Sequence, residues 1–243
     1  MTNNLKKLIS FASLMALSLQ LHAINYYISP TGNDNNAGTR EDAPLASLTT
    51  VQKKVKAGDK VYILPGTYQV KENEMMDKTS SKVWDIIFDF ATSGTADSPI
   101  IYKGVQDAQG NRPVFDLSAI NTGKRLTGFY IRAKYLEFSN FEVIGINVPK
   151  SSSNTQSENI RINGGSYCRF YNIAAHDGMG IGFYLTGRSA HNIISHCDAY
   201  NNFDSVNNGG NSDGFGCHVS ANCEGNVFEY CRAWQNSDDG FDF

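Results

Sequence analysis

Two related phrases near the end of the chain hold the residues best suited to chemistry. They are Asn211-Ser212-Asp213-Gly214-Phe215-Gly216 and Asn236-Ser237-Asp238-Asp239-Gly240-Phe241-Asp242-Phe243. Asn-Ser-Asp occurs in both, and the second copy adds one carboxylate before Gly-Phe and another after it. Carboxylates brought together without a counter-charge repel one another and raise each other's pKa. A hard cation with oxygen ligands removes that cost, and calcium has the matching chemistry. Asp213, Asp238, Asp239 and Asp242 are therefore the candidate ligands of one Ca2+ ion. A lone Ser-Asp-Gly reads more simply as a turn whose side chain caps backbone amides. The doubling, with Asp238 and Asp242 added, favours the metal.

The elements that must position these aspartates form a repeat. Phe138 to Val143, Phe170 to Ala175, Ile194 to Ala199 and Phe228 to Ala233 are one element written four times. Ile173, Cys197 and Cys231 are equivalent in it. Ile181-Gly182-Phe183 and Asp239-Gly240-Phe241 follow at the same distance, while Asp213-Gly214-Phe215 is delayed by an inserted loop of residues 203–210. With the loop set aside, the period falls in the range of solenoid coils. Strands of neighbouring coils then stack as parallel ladders about 4.8 Å apart. That spacing lets side chains of two coils share one ion. Asp213 and Asp239 are equivalent, with Asp238 at the turn. Phe215, Phe241 and Phe243 share a parity and face the core, whereas Asp242 faces outward on the side of Gly216. The expected fold is all-β: a right-handed parallel β-helix with a short amino-terminal capping α-helix.

Ile24 to Ser29 reads as a strand, and Leu45, Leu48, Val51 and Val55 recur at helical spacing. Lys60 to Leu64, Pro99 to Gly104, Pro113 to Leu117, Phe129 to Arg132 and Tyr135 to Val143 read as further strands. Met75 to Phe90 has no clear period, and Pro149 to Glu158 is a Ser/Asn-rich loop. The opening stretch resembles the first turn of right-handed parallel β-helix proteins. The resemblance lies in Tyr27 to Asp34, Gly38-Thr39, Pro44-Leu45, Gly58-Asp59 and Leu64-Pro65-Gly66-Thr67-Tyr68. In those proteins a short helix plugs the open end of the coil, where bare strand edge would be exposed.

Before it, Lys6 and Lys7 precede an apolar run from Leu8 to Leu19, with Leu21-His22-Ala23 as a cleavage site. Residues 1–23 are expected to be a signal peptide and 24–243 a parallel β-helix domain, truncated at its carboxy-terminal end. The apolar run is too short to span a bilayer. The protein is thus expected to be secreted or periplasmic, with no membrane attachment after signal removal. The net charge of -3 becomes more negative without the signal's lysines, which excludes nucleic acid as a partner. Five cysteines, an odd number, leave at least one without an intramolecular partner, and all sit in apolar runs suited to burial. Without a Cys-x-x-Cys or His-x-x-x-His pair, zinc is not expected.

Asn211 to Phe215, Gly225-Asn226-Val227-Phe228, Cys231-Arg232-Ala233-Trp234 and Asn236 to Asp242 together resemble the signature of polysaccharide lyase family 9. The similarity runs from about Gly164 to the end and more loosely before it. The resemblance implies a calcium-dependent lyase acting on acidic, galacturonate-containing pectic polysaccharide, with Asp213, Asp238, Asp239 and Asp242 on the metal. It also implies a lysine as base, some tens of residues beyond the last aspartate. No catalytic residue is therefore assigned within this chain; the expected lysine lies beyond Phe243, since the last lysine present is Lys150. The complete protein is expected to be a monomer, although the uncapped coil could drive association. His218 and Arg232 lie near the aspartates and could touch substrate, or be solvated. Two other readings stand beside the lyase. A pectin-degrading glycoside hydrolase on the same fold would use Asp238 and Asp239 for acid and water activation, but the Gly-His-Gly and Arg-x-Lys phrases expected downstream of them are absent. A carbohydrate-binding or adhesin β-helix would bind without turnover.

Overall fold

A computed structural model describes residues 23–77, 84–148 and 156–243. The expected signal segment lies almost entirely outside these residues, as does most of the Ser/Asn-rich loop.

The chain winds through three parallel sheets in turn. The first holds β1 (Asn25–Ile28), β2 (Lys60–Ile63), β5 (Ile100–Gly104), β8 (Leu136–Ser139), β11 (Arg169–Tyr171), β14 (Ile193–Ser195) and β17 (Val227–Glu229). The second holds β3 (Thr67–Gln69), β6 (Val114–Asp116), β9 (Glu142–Ile144), β12 (Ala174–His176), β15 (Asp198–Tyr200) and β18 (Arg232–Trp234). The third holds β4 (Trp84–Phe90), β7 (Arg125–Ile131), β10 (Glu158–Asn163), β13 (Ile181–Gly187), β16 (Phe215–Val219) and β19 (Phe241–Asp242). Each strand pairs with its counterpart one coil away, as the expected parallel β-helix requires. Phe138, Phe170, Ile194 and Phe228 fall in one row, as the repeat requires.

Alternate side chains of each strand enter the coil and stack on their counterparts. Phe138 is buried between Tyr102 and Phe170, each 5.1 Å away between ring centres. Burying one such ring stabilises by about 1.5–3 kcal/mol. Asparagines tie the corners. Asn202 Nδ2 donates to Ala175 O and to Asn236 Oδ1, and Asn236 Nδ2 donates to Ala199 O. Asn192 and Asn226 repeat the arrangement at another corner.

Tyr135 to Val143 is not one strand. Asn140 takes φ 61° and turns the chain between β8 and β9, and Asn172, His196 and Tyr230 do the same one coil after another. The polar run starting at Glu158 is a strand, because Arg125, Arg161 and Thr127 surround the Glu158 carboxylate and let it be buried. Trp84 to Phe90, part of the stretch without a clear period, is β4. The capping helix is a single turn, Leu48–Gln52, with Ser47 Oγ accepting the Thr50 N–H. Leu45 pairs with Ile28 instead, and Val55 lies past the helix end, yet both join the same core. All five cysteines are free thiols; Cys168 and Cys197 are buried, and the other three only half-buried.

Candidate metal centre

The aspartates sit where the chain enters the third sheet. Phe215 pairs with Phe241, the Gly214 N–H donates to Asp239 O at 2.9 Å and the Phe215 N–H to Gly240 O at 3.1 Å. Asp213 and Asp239 are therefore stacked equivalents. What repeats in space is Asp-Gly-Phe; the Asn-Ser-Asp phrase is out of step by one, so Asp238 stands beside Ser212.

Short polar residues fix both turns. Ser212 Oγ donates to Met179 O, and Ser237 Oγ donates to Gly209 O in the inserted loop. Asp238 accepts the Asn211 N–H at 2.8 Å, and Asp213 Oδ1 accepts the Asp239 N–H at 3.2 Å. One carboxylate oxygen from each of Asp213, Asp238 and Asp239 lies within 4.8 Å of the other two. No ion pair to these three occurs among the described residues. Asp213 is 5 % exposed, and its carboxyl is pushed up to about 6. Burial is the largest cause, and the charges of Asp238, Asp242 and Asp239 add to it, against the Asp239 N–H.

These residues fit a calcium ion. Oxygens up to 4.8 Å apart can lie about 2.4 Å from one shared centre. The donor set is hard, anionic and uncompensated, and Asp238 and Asp239 are exposed enough to leave positions for other oxygens.

Asp242 stands apart from that trio. It faces outward opposite Gly216, and its Oδ2 pairs with His218 Nε2 at 2.9 Å. His218 Nδ1 meets the Tyr184 hydroxyl at 3.2 Å. Gly216 makes room for that ring, since a Cβ there would come within 2.9 Å of Tyr184 Cδ2. Tyr184 was not singled out from sequence. The repeat held the signal, because Ile181-Gly182-Phe183-Tyr184 aligns with Asp239-Gly240-Phe241-Asp242. Arg232 belongs to the second sheet, where it grips Asp198 through two bonds at 2.8 and 2.7 Å. Phe215 is fully buried and stacks on Phe241, and Phe243 packs against Phe228, but Phe241 and Phe243 are themselves 46% and 68% exposed, so of the three rings expected in the core only Phe215 is buried there.

Three parallel sheets wound coil upon coil define a parallel β-helix. The chain matches, over residues 26–243, the family described as Pel9A-like, right handed beta helix region, and belongs to it, as the resemblance to polysaccharide lyase family 9 implied. A rhamnogalacturonan lyase of known structure is 43% identical, with a TM-score of 0.80 covering 90% of this chain and 53% of that one. The crystal structure of pectate lyase Pel9A is 30% identical, with a TM-score of 0.68 covering 90% of this chain and 50% of that one. Pectate lyase L of Dickeya chrysanthemi is 32% identical over 219 residues, 89% of this chain and 46% of the relative. The chain thus spans about half the length of the relatives it matches. Among the described residues no helix is long and apolar enough to cross a membrane.

Proposed function

We propose that this chain is the metal-bearing part of a secreted or periplasmic, calcium-dependent lyase that cleaves galacturonate-containing pectic polysaccharide by β-elimination. The observation that carries the reading is the trio Asp213, Asp238 and Asp239, gathered from two coils with no ion pair among the described residues. These residues would hold the ion, and Asp242, in the strand that follows Asp239 and now paired with His218, would join them. Bound there, calcium would neutralise a uronate carboxylate and disperse the negative charge that develops next to it.

In such an elimination a base takes the proton from C5 of the uronate. That electron pair forms the C4–C5 double bond, and the glycosidic oxygen leaves C4 and takes up a proton. The base is proposed to be a lysine following Phe243, so no residue of this chain is given that role. The chain's own part is to fix where the sugar acid sits. Asp213 is held by a backbone N–H and buried on one side, Asp238 by the Asn211 N–H, and both turns by serine–carbonyl bonds. The arrangement is preorganised, so little has to move when the uronate arrives.

Of the three relatives above, identity and TM-score are highest with the rhamnogalacturonan lyase. That favours the alternating pectin backbone over plain polygalacturonate. The test uses the protein extended to its relatives' length, given each polymer with calcium or with a chelator. We expect ultraviolet-absorbing unsaturated ends with calcium, none with chelator, and faster release from rhamnogalacturonan. Saturated reducing ends alone would point to the hydrolase instead, and binding without turnover to a carbohydrate-binding module.

A further inference from the structure

The outer face of the first sheet lies on a different side of the coil from the acidic cluster, and it has the opposite electrostatic character. Two adjoining grooves run along it, of about 210 and 430 Å³, and Glu137 lines both. Lys60, Lys103 and Arg169 line them as well, against that one carboxylate, in a chain whose overall charge is -3. All three cations are exposed, and none makes an ion pair among the described residues. The contrast is with Arg112, Arg125, Arg132, Arg161 and Arg232, each tied to a carboxylate on the other two sheets.

Register arranges the groups in two lanes along the coil axis. Lys60, Ile101, Glu137 and Arg169 form one lane, and Tyr62, Lys103, Ser139 and Tyr171 the other. Successive members are about 4.8 Å apart. Tyr135 and Tyr167 stack at 5.0 Å along one margin, and His191 continues the stack. Tyr167 and Tyr171 are 44% and 50% exposed. Stacked rings offer rigid, amphipathic contact area at small entropic cost, and each tyrosine carries a hydroxyl.

We propose that this face is a second, non-catalytic binding surface for an acidic polysaccharide laid along the coil axis. Unpaired cations on three of the coils meet the carboxylates of such a chain, and the tyrosine edges and hydroxyls meet its sugar rings. Charge complementarity selects an acidic polymer over a neutral one. The surface would hold a long substrate near the acidic cluster on the neighbouring face and raise its local concentration. That last step rests on the pectic reading given above; the binding itself does not.

The test is affinity electrophoresis with a chelator present, so that the metal centre is silent. The gels carry polygalacturonate, alginate, neutral galactan or single-stranded DNA. The expected result is retention by polygalacturonate that salt weakens, none by galactan, and roughly tenfold weaker retention for K103E/R169E, as two surface charges would give. K103Q/R169Q should fall between. Melting temperature checks that each variant is folded. Retention unchanged in K103E/R169E, absent in the parent, or stronger on DNA than on any polysaccharide would overturn the proposal. Retention by alginate alone would keep the surface and overturn the pectic reading.

Discussion

Asp213 concentrates the electrostatic tension of the site. Its carboxyl, pushed up to about 6 by burial and by the neighbouring aspartates, binds a proton more readily in the folded chain than in the unfolded one. Between the unfolded value near about 3.9 and the folded value, the native state carries more protons, so stability without calcium falls as pH rises through that window. Calcium and the proton also compete for the same oxygens. Calcium affinity should therefore drop steeply as pH is lowered below about 6, while Asp213→Asn should bind weakly at every pH and lose the stability window. Melting curves in chelator and calcium titrations across that range, for parent and variant, check both. The gathering of Asp213, Asp238 and Asp239 from two coils was readable from sequence because the motif is doubled, whereas Asp242, expected beside them, lies on His218. The His218–Tyr184 contact that holds Asp242 was not, because the repeat shows a row without showing that Gly216 leaves space for the ring above it.

At the scale of elements, order comes from ladders. Each corner asparagine satisfies a carbonyl and a backbone N–H of the coil before it, and Asn192 and Asn202 also donate to the asparagine one coil on. Asn202 bridges Ala175 O, the Gly178 N–H and Asn236. Truncating it strands buried polar groups, which costs about 1–3 kcal/mol for each one. Asn202→Ala should therefore lower the denaturation free energy by at least that much and loosen the turn that leads to Asp238, whereas the exposed Asn207→Ala should change it little. Chemical denaturation compares the two. The repeat made the ladders legible, since Asn and aromatic residues recur at one period. Strand ends were less so. A single left-handed residue such as Asn140 divides what reads as one apolar run. The charged start of β10 hides a strand whose Glu158 is buried only because two arginines reach it. The capping helix shrank to one turn because Leu45 is drawn into pairing with Ile28.

For the whole molecule, winding is what creates the site. Residues far apart in sequence reach one corner because each coil returns to the same three sheets, and Asp213 meets Asp238 and Asp239 only if the inserted loop is accommodated outside the stack. The loop is held there by Ser237 bonding Gly209 O and by Asn211 bonding Asp238. The parallel coil was legible from the chain because its repeat is periodic, and the family through the resemblance of the Asn211–Phe215 and Asn236–Asp242 phrases, whereas the division into three sheets was not read. The faces of the coil were not, because which cations pair and which stay free depends on neighbours one coil away. Calorimetric titration of calcium into the purified protein at neutral pH, repeated with Asp213→Asn and Asp239→Asn, tests the central claim most directly. The account predicts one saturable site in the parent and a loss of affinity of roughly a hundredfold in each variant, as expected when one anionic ligand of about three or four is removed. Equal calcium affinity in parent and variants would contradict it.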